Sequence, residues 1–320
     1  MANYDYTRTA SQMMQMVLED IEVLGEGETI TAAQSAFILP RLNIVLKRLA
    51  AHPQLTLTPY RRRRITLFLQ EGQHEYLIPG SSVFASPQHG RTTLDAAEAA
   101  AQTVISVTAT SDTTTNPGTT FQMKPGDSAG VQQDDGTIFW SIITARATND
   151  TMTLATGLDS AAASGKYVWW FTEPAARFLD VESALLRNIN LTDAPLPVYR
   201  IPASYDQGNS NKYADGRPTS IWFEPLAAQS RILLDTQPTE VTDTLVLTVL
   251  YPFQDYDAAT EELVMPPEAL ALVEWELALS ISPAYGKSWT QEMKDNRQLA
   301  WDAARSLNFE TSDLYYQRDA

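Results

Sequence analysis

The sequence predicts an α+β protein: a helical bundle drawn from both chain ends, packed with a β-rich body. Three observations carry this expectation. Apolar residues recur at helical spacing in Thr9–Leu49 and again in Glu261–Leu307. Between them, short runs rich in Thr, Val, Ile and aromatics are broken by Gly, Pro, Asn and Asp, as in strands joined by turns. From Phe84 to Thr172 these runs come at the close spacing of a small barrel or sandwich, which predicts an inserted all-β domain. The expected organisation is a discontinuous core (1–83 and 173–307), an inserted β-domain (84–172) and an extended C-terminal tail (308–320).

The first helix is predicted over Thr9–Leu24, with Met13, Val17, Leu18, Ile21 and Leu24 on one face and Gly25 and Gly27 as its stop. Thr31-x-x-Gln34 is a capping box for a second helix, whose stripe is Phe37, Ile38, Leu42, Val45, Leu46 and Leu49. Pro40 lies inside it and is expected either to kink the helix or to mark the first turn of a shorter one. Strands at Ile65–Leu69 and Glu75–Ile78 flank the Glu71-Gly72 turn and read as a hairpin closed by Pro79-Gly80.

The Ala-rich stretch Arg91–Gln102 is either a short helix or a tether. Strands are expected at Thr103–Ala109, Thr119–Met123, Thr137–Ala145, Thr151–Ala155 and Lys166–Thr172. Ala176–Asn188 suits helix or strand, and Thr219–Glu224, Arg231–Leu234 and Thr244–Tyr251 are strands. A late helix opens at Pro266-Pro267-Glu268, carries Leu270, Val273, Leu277 and Ile281, and ends at Pro283. Ser288-x-x-Gln291 predicts the cap of a last helix packed through Met293, Ala300, Ala304 and Leu307.

Composition excludes several function classes. No run approaches the roughly 20 apolar residues a membrane helix needs. The first ten residues lack the basic and apolar regions of a signal peptide, so the sequons at Asn149 and Asn190 are read as accidental. The chain has no cysteine and three histidines, so disulfides, thiolate sites and histidine-rich metal sites are not expected, nor is any cofactor. A net charge of −16 argues against non-specific grip on nucleic acid, which depends on neutralising phosphates. Glu240–Ala320 alone holds 15 acidic and 5 basic residues, a net of −10, as suits a self-repelling surface or a channel wall that does not retain DNA.

Motifs for chemistry are weak. Gly126-Asp127-Ser128-Ala129-Gly130 matches G-x-S-x-G, but a hydrolase elbow needs a strand-to-helix turn, and here turn and strand follow. Glu261-Glu262 and Glu274/Glu276 are carboxylate pairs of the kind a glycan hydrolase uses; spacing in sequence does not fix their separation. Trp140, Trp169 and Trp170, with Phe139 and Phe171, serve either a small core or a ligand face. The sole strong basic cluster is Arg61, Arg62, Arg63 and Arg64, either a solvated strand entry or a contact to DNA or to an acidic partner. Alternation along a strand would let at most half of these face one surface. The chain reads as a non-enzyme.

A series of short matches resembles the head-to-tail adaptor (connector, or head-completion) proteins of short-tailed bacteriophages. In order these are Leu24-Gly25, Leu42-Asn43, Phe68-x-x-x-Gly72-x-x-x-Tyr76, Pro195-Leu196-Pro197, Tyr205, Asn211-Lys212, Gly216-Arg217-Pro218 before Trp222-Phe223, Pro266-Pro267-Glu268 and Tyr285-Gly286. The stretch from Gly126 to Trp140 resembles an insertion seen in some of these adaptors. Pro40 and Pro283 depart from the family's pattern, inside the second helix and near the end of the late one.

The resemblance implies a structural virion protein of the neck, assembled in the host cytoplasm. It would form a dodecameric ring joining the portal to a tail nozzle or tube protein, complete the head, and let double-stranded DNA pass without sequence-specific binding. No membrane partner is implied. The C-terminal tail would dock on the portal through Phe309, Leu314, Tyr315 and Tyr316, large anchors on a segment without a core of its own. The rival expectation is a virion-associated cell-wall glycan hydrolase or binding module.

Overall fold

The computed structural model describes residues 8–25, 27–51, 61–80, 83–113, 120–147, 150–208, 211, 214–263, 265 and 267–306. The chain is α+β and divides into two units, one from residues 1–62 and 252–320, the other from Arg63–Tyr251.

The first unit is helical. Helix α1 (Ala10–Asp20) and helix α2 (Ala32–Ala50) each open on the expected capping box, Thr9 with Gln12 and Thr31 with Gln34. Helix α1 ends sooner than its glycines predict. Glu22 adopts φ 56°, the Val23 N–H donates to Leu18 O at 2.8 Å, and the Glu22 N–H donates to Glu19 O at 2.9 Å. This is a Schellman closure with a glutamate where glycine is usual. Helix α2 runs unbroken through Pro40.

Helix α3 (Pro267–Ile281) opens on proline as predicted and passes into a 3₁₀ turn, Ser282–Tyr285, closed by Gly286 at φ 68°. Helix α4 (Gln291–Ser306) starts later than Ser288 implies: Thr290 Oγ1 accepts from the Met293 N–H, so Thr290 is the cap. The core gathers Met13, Met14, Val17 and Leu18 from α1, Ile38, Leu42, Val45 and Leu46 from α2, Leu270, Val273 and Leu277 from α3, and Ala300 and Ala304 from α4. Helix α3 is apolar around most of its circumference because α1, α2 and α4 all cover it.

The second unit is built mainly of strands, with one short helix at Pro202–Gly208 among the described residues. In chain order the strands are β1 (Arg62–Phe68), β2 (Glu75–Ile78), β3 (Ala85–Ser86), β4 (Gly90–Thr93), β5 (Val104–Ser106) and β6 (Ser111–Asp112). There follow β7 (Phe121–Gln122), β8 (Ser128–Gln132), β9 (Ile138–Arg146), β10 (Thr151–Leu154), β11 (Tyr167–Phe171) and β12 (Asp180–Arg187). The last are β13 (Asp193–Leu196), β14 (Val198–Tyr199), β15 (Ile221–Pro225), β16 (Ser230–Leu234) and β17 (Thr244–Leu250).

A five-stranded sheet, β13-β12-β17-β1-β3, and a four-stranded sheet, β14-β15-β16-β2, share one core that includes Leu67, Tyr76, Phe178, Phe223, Ile232 and Leu247. The ambiguous Ala176–Asn188 stretch is strand β12, paired with β17 from Asp180 opposite Leu250 to Arg187 opposite Thr244. The expected β1–β2 hairpin does not form. Strand β1 pairs with β3, and β2 pairs with β16 in the other sheet. The Glu71-Gly72 turn is thus a corner between sheets, with Gly72 at φ 69°.

A six-stranded sheet, β4-β11-β8-β9-β10-β5, holds its own core of Leu94, Ile105, Val131, Ile143, Met152, Val168 and Trp170 among others. Arg91–Thr93 belongs to β4, so the Ala-rich stretch from Arg91 opens as strand and contains no helix. On its other side β11 joins an aromatic cluster in which Phe68 of β1 meets Trp140, Trp169 and Phe171 at ring-centroid distances of 5.1–6.1 Å. Two glycines make room for tryptophan rings, Gly130 in this cluster and Gly90 in the core on the other side. A Cβ on Gly130 would lie 2.8 Å from the Trp140 ring, and one on Gly90 would lie 2.2 Å from the Trp170 ring.

Candidate functional site

Along the chain the division between the two units falls inside the arginine run, and its members have different surroundings. Arg61 belongs to the helical unit and is buried. Its Nη1 donates to Ala50 O at 2.9 Å at the C-terminal end of α2, where a cation also complements the helix dipole. Burial lowers its pKa. Arg62, Arg63 and Arg64 are exposed at the start of β1.

Arg63 and Arg64 line an open cavity of about 550 Å³ in the β unit, together with Gln88, Phe121, Lys124, Thr172 and Glu173. Strict alternation would have sent the two arginines to opposite faces. The cavity lies off the edge of the strand instead. Strand β3 pairs with β1 only at Thr66 and Leu67, and past Ser86 the chain turns away, so the edge at Arg63 and Arg64 stands open. That turn is held by Ser86, whose Oγ donates to Gln88 O at 2.6 Å and accepts from the Gln88 N–H at 3.2 Å. Arg63 also lies over the Tyr251 ring at 5.8 Å. Nothing near Lys124 in sequence is basic, and only the fold brings it to β1.

The carboxylate pairs resolve differently. Glu276 is buried on α3 and accepts from Arg48, from Arg297 Nε at 2.6 Å and from Trp301 Nε1 at 2.7 Å. Glu274 pairs with Arg8 at 2.8 Å. Asp20 lies beside it, and its carboxyl is pushed up to about 7 by burial first and by the neighbouring Glu274 second. Glu261 accepts from the Asp257 N–H at 3.2 Å, and Glu262 sits on a bridge to Thr9. Both members of the Glu274/Glu276 pair thus tie helices together.

The other sequence candidates take positions in the β unit. Ser128 of the G-x-S-x-G match opens β8 after a turn at Gly126 (φ 97°), with no helix following. Trp169, Trp170 and Phe171 are buried, and Trp140 stacks on Phe84 at 4.2 Å. His89 is buried against Phe68 at 5.3 Å, and burial lowers its pKa to about 4. Phe309, Leu314, Tyr315 and Tyr316 lie outside the described residues. Among the described residues no group of His, Asp and Glu could hold a metal ion, and no helix is long and apolar enough to cross a membrane.

Positions carrying the adaptor resemblance prove to be corners and ties. The Asn43 amide bonds both backbone groups of Tyr256 at 3.0 Å, fixing α2 to the segment before α3. Tyr76 is buried with its hydroxyl accepting from the Gln70 N–H at 3.0 Å, and Tyr205 donates to Leu234 O at 2.6 Å. Arg217 Nε pairs with Asp243 at 2.8 Å.

No family model matches the sequence, and no curated protein matches it. Among solved structures, the chain is similar to VP17, a capsid protein of bacteriophage P23-77, at 13% identity over 64% of this chain and 78% of that one, with a TM-score of 0.12. A superposition at that score carries no argument about fold or function.

Proposed function

We propose that the protein is a structural component of a phage virion, a neck adaptor that forms a ring under the portal, receives the tail and retains the packaged genome. The observation that carries this reading is the order of the frame. Two helices from each side of the chain make one helical unit, a continuous β unit lies between them, and residues of the resembling motifs act as its turns and ties. In this reading the helical unit supplies contacts between neighbouring subunits, and the six-stranded sheet is an insertion carried by the β body. The C-terminal segment, with Phe309, Leu314, Tyr315 and Tyr316, docks on the portal.

The test is electron microscopy of particles made when the gene is disabled in its source virus. Tailless heads that fill and then lose DNA are the expected result; complete, tailed, filled particles would refute the proposal. Removing Asn308–Ala320 is expected to abolish binding to the portal while folding is retained. The glycan-hydrolase alternative gains no support from the carboxylates of α3, which are engaged in ties between helices.

A further inference from the structure

We propose that the cavity beside β1 binds a small phosphate-bearing ligand as its dianion, gripped by Arg63, Arg64 and Lys124. The proposal is independent of ring assembly.

Charge is the first argument. Residues 63–251 carry 20 acidic and 12 basic side chains, so cations in this unit have carboxylates to spare. Five of the twelve find one: Arg187 pairs with Asp193, Arg200 with Asp180, Arg217 with Asp243, Lys166 with Asp134, and Arg231 with both Glu75 and Glu224. Arg63, Arg64 and Lys124 form no ion pair among the described residues, yet the fold gathers them around one cavity with Glu173 as its single carboxylate. Three cations against one lining carboxylate leave a local charge of +2 in a unit that is acidic as a whole; Asp193, also within electrostatic reach of Arg64, is balanced by its ion pair with Arg187. That balance matches a phosphomonoester or inorganic phosphate above its second pKa of about 6. Guanidinium forks present paired N–H donors to phosphate oxygens, while the lysine adds a point charge.

Size and lining are the second argument. A volume of about 550 Å³ is in the range of small-molecule sites rather than of a lone ion. Phe121 supplies an apolar wall, and Thr172 and Gln88 supply neutral polar groups. The space exists because the Ser86–Gln88 turn carries the chain away from β1, and its own hydrogen bonds hold that turn in place.

The test is calorimetric titration of the full chain at fixed ionic strength with inorganic phosphate and, separately, with a nucleoside 5′-monophosphate. Saturable binding is expected, falling by about tenfold in Arg64→Gln and in Lys124→Gln, each of which removes one charge-assisted contact. Affinity is also expected to fall below a pH of about 6, where the ligand becomes a monoanion. Tighter binding of the monophosphate assigns Phe121 and the apolar wall to an organic moiety; equal binding assigns the site to phosphate itself, and either supports the proposal. Circular dichroism establishes that the variants fold. No saturable binding up to about 10 mM, which is weaker than roughly 3 kcal/mol of affinity, would overturn the proposal. So would binding unchanged in both variants. Binding of double-stranded DNA that is lost in Arg64→Gln, with neither small phosphate bound, would overturn it in favour of a polyanion contact.

Discussion

Substitution of Glu276 tests whether the helical unit is tied together by one buried carboxylate. Its side chain is 3% exposed, while Arg48 and Arg297, its ion-pair partners, are 55% and 36% exposed. The third donor is Trp301 Nε1 at 2.7 Å. Removing one member of a buried ion pair costs about 3–5 kcal/mol when the remaining charge stays buried. Here both arginines can turn to water, so the penalty should fall to the lower end, and Glu276→Ala is expected to cost about 3 kcal/mol, or roughly two orders of magnitude in the folding equilibrium. Glu276→Gln keeps the shape and the acceptor for Trp301 but gives up both charge-assisted bonds, at about 2 kcal/mol. Arg48→Gln should cost under about 1 kcal/mol, because an exposed partner contributes little. Urea unfolding followed by far-ultraviolet circular dichroism measures each change, and a double-mutant cycle between Glu276 and Arg297 isolates the coupling. An order in which Arg48→Gln costs as much as Glu276→Gln, or a coupling of zero, would refute the tie. A catalytic Glu276 would give the opposite pattern, with stability kept and an activity lost.

Two further predictions concern pH and act in opposite directions. Asp20 has its folded pKa raised to about 7 by burial and by Glu274, so its contribution is present below about pH 4 and is lost as pH rises through about 7. Asp20→Asn should therefore flatten the loss of stability between about pH 4 and 7; parallel profiles for variant and parent would contradict this. His89, lowered to about 4 by burial, contributes stability above about pH 6.5 that is lost as pH falls through about 4. Unfolding midpoints of a His89→Gln variant and the parent should converge over that window, and a constant gap would count against it. Glu22→Gly is expected to stabilise the chain by about 0.5–1 kcal/mol, because glycine adopts φ 56° without the strain an L side chain meets there. Gly130→Ala should cost about 1–3 kcal/mol, since its methyl would enter the Trp140 ring; unaltered tryptophan fluorescence and stability would refute the close approach.

Local signals were legible wherever one side chain acts on its own backbone or on one face. Thr9 and Thr31 announced their helices because a capping box is complete within four residues. Strand β2 was read at its observed bounds because it is short and alternates buried with half-buried positions. Misreadings arose where a distant element decides. The Glu71-Gly72 turn looks like a hairpin from its residues alone, but the partners that claim β1 and β2 are β17 and β16, more than 150 residues away. The end of α1 was assigned to the nearest glycines, whereas Glu22 accepts the left-handed conformation; its carbonyl also receives the Lys287 ammonium at 2.7 Å.

The same division governs the candidate sites. The arginine run was visible as a charge cluster, but its separation into a buried helix tie at Arg61 and a cavity wall at Arg63 and Arg64 depends on where β3 stops pairing. Lys124 carries no signal of its own, since a lone lysine before a Pro-Gly turn is the commonest kind of surface residue. Conversely, Glu274 and Glu276 suggested catalysis because two carboxylates at i and i+2 are conspicuous in sequence. On a helix that spacing turns them roughly 200° apart, toward different neighbours. Glu274 meets Arg8 and Asp20, and Glu276 meets Arg48, Arg297 and Trp301. One carboxylate holds α3 to α1, the other holds α3 to α2 and α4. The polar residues of an otherwise apolar helix therefore specify which helices surround it, a reason for such a helix to keep one buried and one half-buried acid without any chemistry.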